Sequence, residues 1–397
     1  MISKWFPRIK AKPLSEVVKS RDAFIYLDRA MWTFGWTQPE DKRWTLVYTI
    51  WKLIANLLIQ ILLPISMVVE YVRGFKSFSA NEFLSSLEIG VNIYGSSFKC
   101  TYTFLGYKKL QRAKRILDQL DRSCVRDEEK LTVRRYVALG NLFYVVYHVM
   151  YSGFVVINFV GYLLKGRHAW RMYIPLLKPE DHFLSTSIAE FLLMITVVTM
   201  DQCTDVCALV YMLLARCHIV LLKDRLRNLR SDLEKTEDEY LQELTQCVQD
   251  HRFILDYVNA VRPVFSGTIF VQFLLIGVVL GLAMINIMFF STFWTGLGTF
   301  LFMMDVCSET FPLCYLCDLM ILDCQDLSNC LFHSNWLTAS RRYKSTLVYF
   351  LQNLQQPITL TAGGVFPICM RTNLSMVKLA FSVVTVIQQF NLAEKFQ

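Results

Sequence analysis

Charged side chains interrupt the long apolar runs of this sequence at helical spacing. Asp201 and Asp205 lie four residues apart, and so do Asp305 and Glu309, which places each pair on one face of a helix. Three further ionisable residues stand in apolar surroundings: Glu88, Lys99 and Glu190. Ionisable groups inside a membrane are costly, and they either line a polar route that attracts cations or form hydrogen bonds between helices. The sequence leaves both interpretations open.

The last apolar run, "RTNLSMVKLAFSVVTVIQQFN" at residues 371–391, carries a polar stripe. Six polar side chains repeat at spacings of four and three along one helix face: Arg371, Ser375, Lys378, Ser382, Thr385 and Gln389. Lipid does not tolerate such a stripe, so it must face protein or water. A pore-lining helix and a buried polar seam in a monomeric bundle both fit this pattern.

Motifs for catalysis are missing from the sequence. It holds no GxGxxG phosphate loop, no Walker motif and no HExxH zinc motif, and its six histidines form no pair at metal-ligand spacing. Most of the 12 cysteines lie in apolar runs, where cysteine behaves as a small hydrophobic residue. We therefore expect a protein that is not an enzyme and that binds no cofactor or metal.

The composition indicates a membrane protein. Of the 397 residues, 54% are hydrophobic and only 19% are charged, against roughly 25% charged in soluble domains. Seven apolar runs are long enough to span a bilayer: 44–70, 84–106, 137–164, 185–215, 264–290, 296–322 and 373–391. Basic residues flank these runs instead of forming one patch, so the net charge of +8 does not indicate binding of nucleic acid.

The distribution of lysine and arginine predicts the orientation of the chain. The segment before the first span and the alternate links after it hold 31 of these residues, and the remaining links and the tail hold seven. Cytoplasmic segments carry the excess of basic residues. We therefore expect a cytoplasmic N-terminus and, with seven spans, an extracellular C-terminus, opposite to a G-protein-coupled receptor.

Two cytoplasmic stretches have the pattern of amphipathic helices. Leucines recur at three-to-four spacing in residues 216–262, which predicts that spans 4 and 5 continue into the cytosol. Residues 339–356 predict a separate helix, and "TAGGVFP" at 361–367 breaks the chain before span 7. Their apolar faces need partners, either in another subunit or within the monomer. A GxxxG pair, Gly277 and Gly281, predicts close helix packing in span 5.

Apolar and aromatic side chains in the predicted outer half of the bundle could line a ligand pocket. Such pockets are mostly apolar, with a few polar groups. The candidates come from spans 2, 3 and 4: Ile93, Tyr94, Met150, Tyr151, Phe154 and Met194. Plain packing between helices would use the same residue types.

Three stretches resemble the insect odorant receptor family. They are "LLKDRLRNLR" after span 4, "DHRFILDYVNAVRPVFSGTIFVQFLL" entering span 5, and the C-terminal "YFLQNLQQPITLTAGGVFPICMRTNLSMVKLAFSVVTVIQQF". The resemblance is to odorant-tuned receptors of fruit flies. The shared co-receptor differs, because its long cytoplasmic insertion between spans 4 and 5 is absent here.

The resemblance implies an all-α membrane protein with seven transmembrane helices. The extensions of helices 4–6 and the first half of helix 7 would form a cytoplasmic anchor. The implied divisions are a cytoplasmic segment at 1–43, helices 1–4 with an odorant pocket in their outer half at 44–215, and cytoplasmic extensions at 216–263. Helices 5 and 6 follow at 264–322, the anchor helix and break at 323–372, and the pore-lining helix with a short tail at 373–397.

The resemblance also implies a function. Such receptors join the odorant receptor co-receptor in heterotetramers that small volatile odorants, often esters, alcohols or ketones, open to cations. The expected location is the plasma membrane of olfactory sensory neuron dendrites. The family's gate position falls on Val386 and its second constriction on Phe390, with Gln389 between them, while Ser382 and Thr385 lie on the polar stripe.

Two other functions remain open on the residues alone. The first is a metabotropic seven-helix chemoreceptor without a pore of its own. The second is a transporter that uses Asp201 and Asp205 for ion coupling, although the sequence shows no internal repeat of the kind common in transporters.

Overall fold

The computed structural model describes residues 6–37, 42–74, 79–170, 172–174, 182–232 and 234–389. Within these ranges the chain is almost wholly helical, with one two-stranded hairpin near the C-terminus. The all-α prediction is therefore confirmed.

The N-terminal segment lies against the helical bundle. Short 3₁₀ turns at Pro7–Ile9 and Ser20–Phe24 lead into helix α1, Ile25–Thr33. The Ser20–Phe24 turn and α1 both pack on the later long helices. Phe24 and Leu27 are fully buried there, so this segment forms part of the core.

Six long helices form the bundle. Helix α2 is Thr45–Gly74 with a π-turn at Leu58–Leu62, α3 is Ala80–Arg122, and α4 is Asp127–Leu164. Helix α5 is Phe183–Arg227, α6 is Glu237–Ile285 with a π-turn at Asn286–Phe290, and α7 is Phe293–Phe332. At 1.5 Å per residue, α3 to α7 are longer than a bilayer core of roughly 30 Å, so they project beyond it.

Local sequence fixes the starts of two of these helices. At the start of α3, the Ser79 hydroxyl accepts a hydrogen bond from the Glu82 amide, and the Glu82 carboxylate accepts one from the Ser79 amide. Thr236 and Glu239 make the same reciprocal pair at the start of α6. Such capping boxes satisfy amide groups that have no partner inside the helix.

The C-terminal part is a short helix, a hairpin and a final helix. Helix α8 is Arg341–Leu354, strands β1 and β2 are Thr361–Ala362 and Phe366–Pro367, and α9 is Met370–Gln389. Gly363 and Gly364 adopt positive φ angles of 60° and 73° in the turn, a conformation that favours glycine. The predicted helix at 339–356 and break at 361–367 agree with these elements.

Helix α5 lies at the centre of the bundle. From Met200 to Ala215 every side chain is buried, with α3, α4, α6 and α7 packed around it. This explains why the sequence after Asp205 is apolar on all faces, since an all-round apolar helix is one that has neighbours on every side. The helix continues to Arg227, beyond the predicted span 185–215, as the predicted extension of span 4 requires, and the cytosolic location of that extension stays a prediction.

Glycines let α3 and α6 approach closely. A Cβ at Gly95 would lie 2.1 Å from Leu275, and one at Gly106 would lie 2.4 Å from Val264. The predicted packing site at Gly277 and Gly281 is different, because no described atom lies within 4 Å of a Cβ placed there. The GxxxG pair therefore makes no close helix contact within this chain.

Among the described residues, five helices are long and apolar enough to cross a membrane by length and composition: α2, α4, α5, α6 and α7. Helix α3 carries too many polar groups for this criterion, and α9 also falls outside it. The count of seven spans and the orientation of the chain therefore stay predictions.

Candidate functional site

A cavity of about 990 Å³ opens between α3, α4, α7 and the segment that follows α4. Met67, Ile89, Phe154 and Phe302 contribute apolar walls, and Glu88 lies among them. The Glu88 side chain is buried and accepts a hydrogen bond of 3.2 Å from the Asn286 amide. The lining is mixed, because these apolar walls stand beside polar and charged side chains that include Asn158, Arg167 and His168. Apolar walls with polar groups among them are found in small-molecule pockets.

Of the six predicted pocket residues, only Phe154 lines this cavity. Ile93, Tyr151 and Met194 are buried in the core, whereas Met150 is 38% exposed on the outside of the bundle. The Tyr94 hydroxyl already donates to the Pro64 carbonyl, at 2.7 Å. The assignment of these residues to odorant binding stays a prediction.

Three of the charges noted in the sequence, Asp201, Asp205 and Glu309, converge on Lys99. Its ammonium nitrogen lies 2.8 Å from Asp201 Oδ1, 3.0 Å from Asp205 Oδ1 and 3.8 Å from Glu309 Oε2. The Tyr151 hydroxyl donates to Asp205 Oδ2 at 3.1 Å, and the Gln272 amide donates to Glu309. All these side chains are buried, so one network joins α3, α4, α5, α6 and α7.

The three carboxylates of this network lie close enough together to resemble a metal site. One oxygen from each of Asp201, Asp205 and Glu309 falls within 4.8 Å of the others. The Lys99 ammonium lies among these oxygens, where a bound cation would lie. The arrangement is therefore an internal ion network in which the Lys99 ammonium is the cation. It links helices, which agrees with the interpretation that these residues form hydrogen bonds between helices.

Helix α9 lies on the surface of the chain and contacts it along one narrow edge. Thr372, Asn373, Ala380 and Val384 are its buried side chains. All six members of the polar stripe are exposed: Arg371, Ser375, Lys378, Ser382, Thr385 and Gln389. A polar seam buried within the monomer is therefore excluded, and the stripe faces away from the chain's own core.

The predicted gate residue lies on the same exposed side of α9. Val386 is exposed, as are Ser382, Thr385 and Gln389. Phe390, the second predicted constriction, lies outside the described residues. The assignment of these positions to a pore stays a prediction.

Four helices meet at Arg225, near the end of α5. Its guanidinium donates to Glu129 at 2.7 Å, to the Ser123 carbonyl at 2.8 Å and to Asp250. Because Arg225 presents a rigid fork of donors, it can hold three helix ends in one geometry. Close by, the Cys124 thiol has its pKa raised to about 12 by burial, so it stays protonated.

A second polar contact fixes the N-terminal segment. The Asp121 carboxylate accepts bonds from the Ser20 amide at 2.7 Å and the Ser20 hydroxyl at 2.5 Å. The ring nitrogen Nε2 of His218 lies 3.1 Å from the same hydroxyl. Burial raises the pKa of Asp121 to about 6, although the two Ser20 bonds oppose the shift.

Comparison with known proteins decides the family. The family model for the seven-transmembrane odorant receptor matches residues 79–381. Odorant receptor 22a of Drosophila melanogaster is 68% identical over 397 residues, and odorant receptor 22b is 64% identical, with the whole of each chain covered. The chain belongs to the insect odorant receptor family.

The fold of this receptor has been seen before at low sequence identity. The solved structure of the insect olfactory receptor OR5 from Machilis hrabei matches with a TM-score of 0.75, at 16% identity, and covers 98% of each chain. A second structure of OR5, in complex with eugenol, matches with a TM-score of 0.74 and covers 93% of this chain and 97% of that one. The likeness shows a shared fold, and the predicted family is confirmed.

Sequence reasoning missed several residues of the receptor's cavity. Phe302 lies in its wall, and Asn158 and Thr299 also line it. Glu88 was noted for its charge and not for a pocket. The cavity forms where three helices diverge, and no spacing within one helix signals this. Only the apolar character of span 6 hinted at Phe302.

Proposed function

We propose that this receptor is a subunit of an odorant-gated, non-selective cation channel, formed together with the odorant receptor co-receptor. The observation that carries the proposal is the exposed polar stripe of α9. A lysine and a glutamine, Lys378 and Gln389, stand on the surface of a helix that ends the bundle. Polar side chains at membrane depth need protein or water beside them.

A central pore between subunits would place both protein and water beside these polar side chains. In a tetramer the exposed side of α9 meets the same helix of other subunits, and the stripe borders water. Val386 is the proposed gate, and Ser382, Thr385, Gln389 and Phe390 are proposed to line the pore beside it. This arrangement also covers the apolar side chains that α9 exposes in the single chain, such as Leu379 and Phe381.

The cytoplasmic helices support the proposed subunit anchor. Helix α8 buries Tyr343, Leu347 and Phe350 against its own chain. On its other side Val348 and Tyr349 are exposed, at 60% and 73%. An exposed apolar face of this kind marks an interaction surface. We assign it, with the cytoplasmic ends of α5, α6 and α7 and the first half of α9, to contacts between subunits.

The proposed orientation places the cavity on the extracellular side. The excess of basic residues puts the N-terminus in the cytosol and, with α3 and α9 counted among seven spans, the C-terminus outside. The start of α3, the end of α4 and the start of α7, which border the cavity, then face outward. The plasma membrane of olfactory sensory neuron dendrites is the proposed location.

The cavity suits a small volatile with one polar group. Its apolar walls favour binding by burial, at roughly 25 cal/mol per Å² of apolar surface. Esters, alcohols and ketones are the proposed ligands, and the matched OR5 structure holds eugenol, itself a small aromatic molecule. One methylene changes binding by only about 1 kcal/mol, so tuning among such ligands would be broad.

The test is a recording with signalling through G proteins blocked. Expressed with the co-receptor, the receptor should give an odorant-evoked cation current within milliseconds under a panel of volatiles. Cells with the co-receptor alone are the control, since they should not respond to the same panel. A response that disappears when G proteins are blocked would instead support the metabotropic alternative.

A further inference from the structure

An aromatic pair closes one side of the cavity. Phe154 of α4 and Phe302 of α7 stack with their ring centroids 5.6 Å apart and an interplanar angle of 29°. Both residues line the cavity, and Phe302 is buried. A ligand that occupies this side of the cavity would contact the pair.

A small hydrophobic cluster contains Phe302 and stands apart from the main core. Its buried members come from three helices: Ile276, Val279 and Leu280 of α6, Phe302 and Val306 of α7, and Ala380 of α9. Phe154, Met376 and Val377 pack against it. Phe302 thus belongs both to the wall of the cavity and to the cluster that holds the middle of α9.

Helix α9 is held by different kinds of contact at its start and at its middle. Near its start, the Asn373 amide donates to the Thr310 hydroxyl of α7 at 2.9 Å, and the Met370 amide donates to Asp318 of α7 at 3.0 Å. Around Ala380 the contacts are apolar only. Hydrogen bonds fix direction, while apolar contacts do not. The start of α9 is therefore a pivot, and its middle is free to shift.

We propose that Phe302 is a positioning residue that couples occupation of the cavity to the position of α9. Protein interiors are close-packed, so a displaced phenylalanine ring displaces its neighbours. Ala380 is fully buried and has no room to absorb that shift within the cluster. A ligand that binds better when the pair is rearranged then favours the shifted position of α9. This inference rests on the proposed channel function.

The first experiment separates coupling from binding. Phe302→Leu and Phe302→Ala receptors are expressed with the co-receptor, and current is recorded against odorant concentration after normalisation to surface level. Substitutions along a coupling route change the coupling by about twofold to thirtyfold. We expect a maximal current at saturating odorant that is lowered about threefold or more, with unchanged permeability ratios.

Two variants serve as controls. Ile89 lines the cavity without belonging to the small cluster, so Ile89→Ala should shift the half-maximal concentration and keep the maximal current. Phe300 lies on the same helix as Phe302 and is half exposed, so Phe300→Leu should behave as the unmodified receptor. If Phe302→Ala does not reach the surface, Phe302→Leu decides the question.

A compensating pair tests the route through α9. Ala380→Val adds volume to the cluster from which Phe302→Leu removes it, so the double variant should recover maximal current relative to either single variant. A Phe302→Leu receptor whose maximal current equals that of Phe300→Leu would overturn the inference. Loss of current from the unmodified receptor, with G proteins blocked, would instead refute the channel function itself.

Discussion

Replacing Lys99 by methionine should destabilise the receptor strongly. The lysine is 1% exposed and lies within 4.0 Å of three buried carboxylates on two other helices. Methionine keeps the volume of the lysine stem and removes the only cation of this network. Asp201, Asp205 and Glu309 would then face one another in the core without a counter-charge.

The expected loss of stability in the Lys99→Met receptor follows from the burial of the network. Removing one partner of a buried ion pair costs about 3–5 kcal/mol, because the remaining charge is left uncompensated. At about 2 °C per kcal/mol for a large domain, this lowers the melting temperature by roughly 6–10 °C. Asp201 and Asp205 lie nearer to Lys99 than Glu309 does, so they suffer most of this loss.

The measurement is thermal unfolding of the detergent-solubilised receptor, followed by the loss of the monodisperse peak in size-exclusion chromatography. The matched control is Lys130→Met, because Lys130 is exposed and pairs only with Asp127, a contact worth about 0–1 kcal/mol. The double variant Lys99→Met with Asp205→Asn should recover part of the loss, since it removes one of the unpaired charges. Equal melting temperatures for Lys99→Met and Lys130→Met would refute the reasoning.

Three further predictions address the pore, the N-terminal contact and the pocket. Gln389→Lys should lower the permeability of monovalent cations relative to chloride about fivefold, through a repulsion of about 1 kcal/mol; a cation-to-chloride ratio equal to that of Gln389→Asn in reversal-potential recordings would contradict the pore assignment. The docked Asp121 binds its proton more tightly than a free carboxyl group, so its contribution favours docking at low pH and is lost as the pH rises from about 4 through about 6. Asp121→Asn should therefore slow limited proteolysis of the N-terminal segment at pH 7.5 and have little effect at pH values below about 4, and an equal effect of the substitution at both pH values would count against the shifted pKa. Phe154→Ala, which removes an apolar wall of the cavity, should change the half-maximal odorant concentration about tenfold and alter the rank order of odorants, whereas Met150→Ala, on the exposed side, should change it less; the reverse result in a dose–response panel would relocate the pocket.

The helices could be predicted because their signal is local. Long apolar runs specify helices of bilayer length, and the leucine spacing after Arg216 specifies the extension of α5 to Arg227. The break at 361–367 was readable from Gly363 and Gly364, whose positive φ angles form the turn. In each case the residues that determine the element lie within the element.

The arrangement of the helices could not be predicted, because it depends on contacts far apart in the chain. Lys99 meets Asp205 across 106 positions, and nothing in the sequence shows that α3 lies beside α5. The prediction of close helix packing from the spacing of two glycines was wrong for the same reason. Gly277 and Gly281 have the spacing of a packing motif and no close neighbour, whereas Gly95 meets Leu275 without any motif.

The cavity was partly predictable. Residues with the right chemistry were named in spans 2 to 4, and Phe154 does line the cavity. The structure moves the open volume toward the start of α7 and the end of α4, where Phe302 and Asn158 lie. The position of the cavity depends on how the helices lie relative to one another, and the spacing of residues within one helix does not show this.

Because α9 is attached along one narrow edge, its buried and its exposed side chains are under different evolutionary constraints. Substitutions at Thr372, Asn373, Ala380 and Val384 act on the chain that carries them, since these side chains are buried within it. Substitutions on the opposite side leave the fold of that chain intact. Their consequences depend on whatever lies beside the helix. Two gene copies could therefore diverge freely in ligand preference while the outward side of α9 remains tied to the evolution of a neighbouring protein.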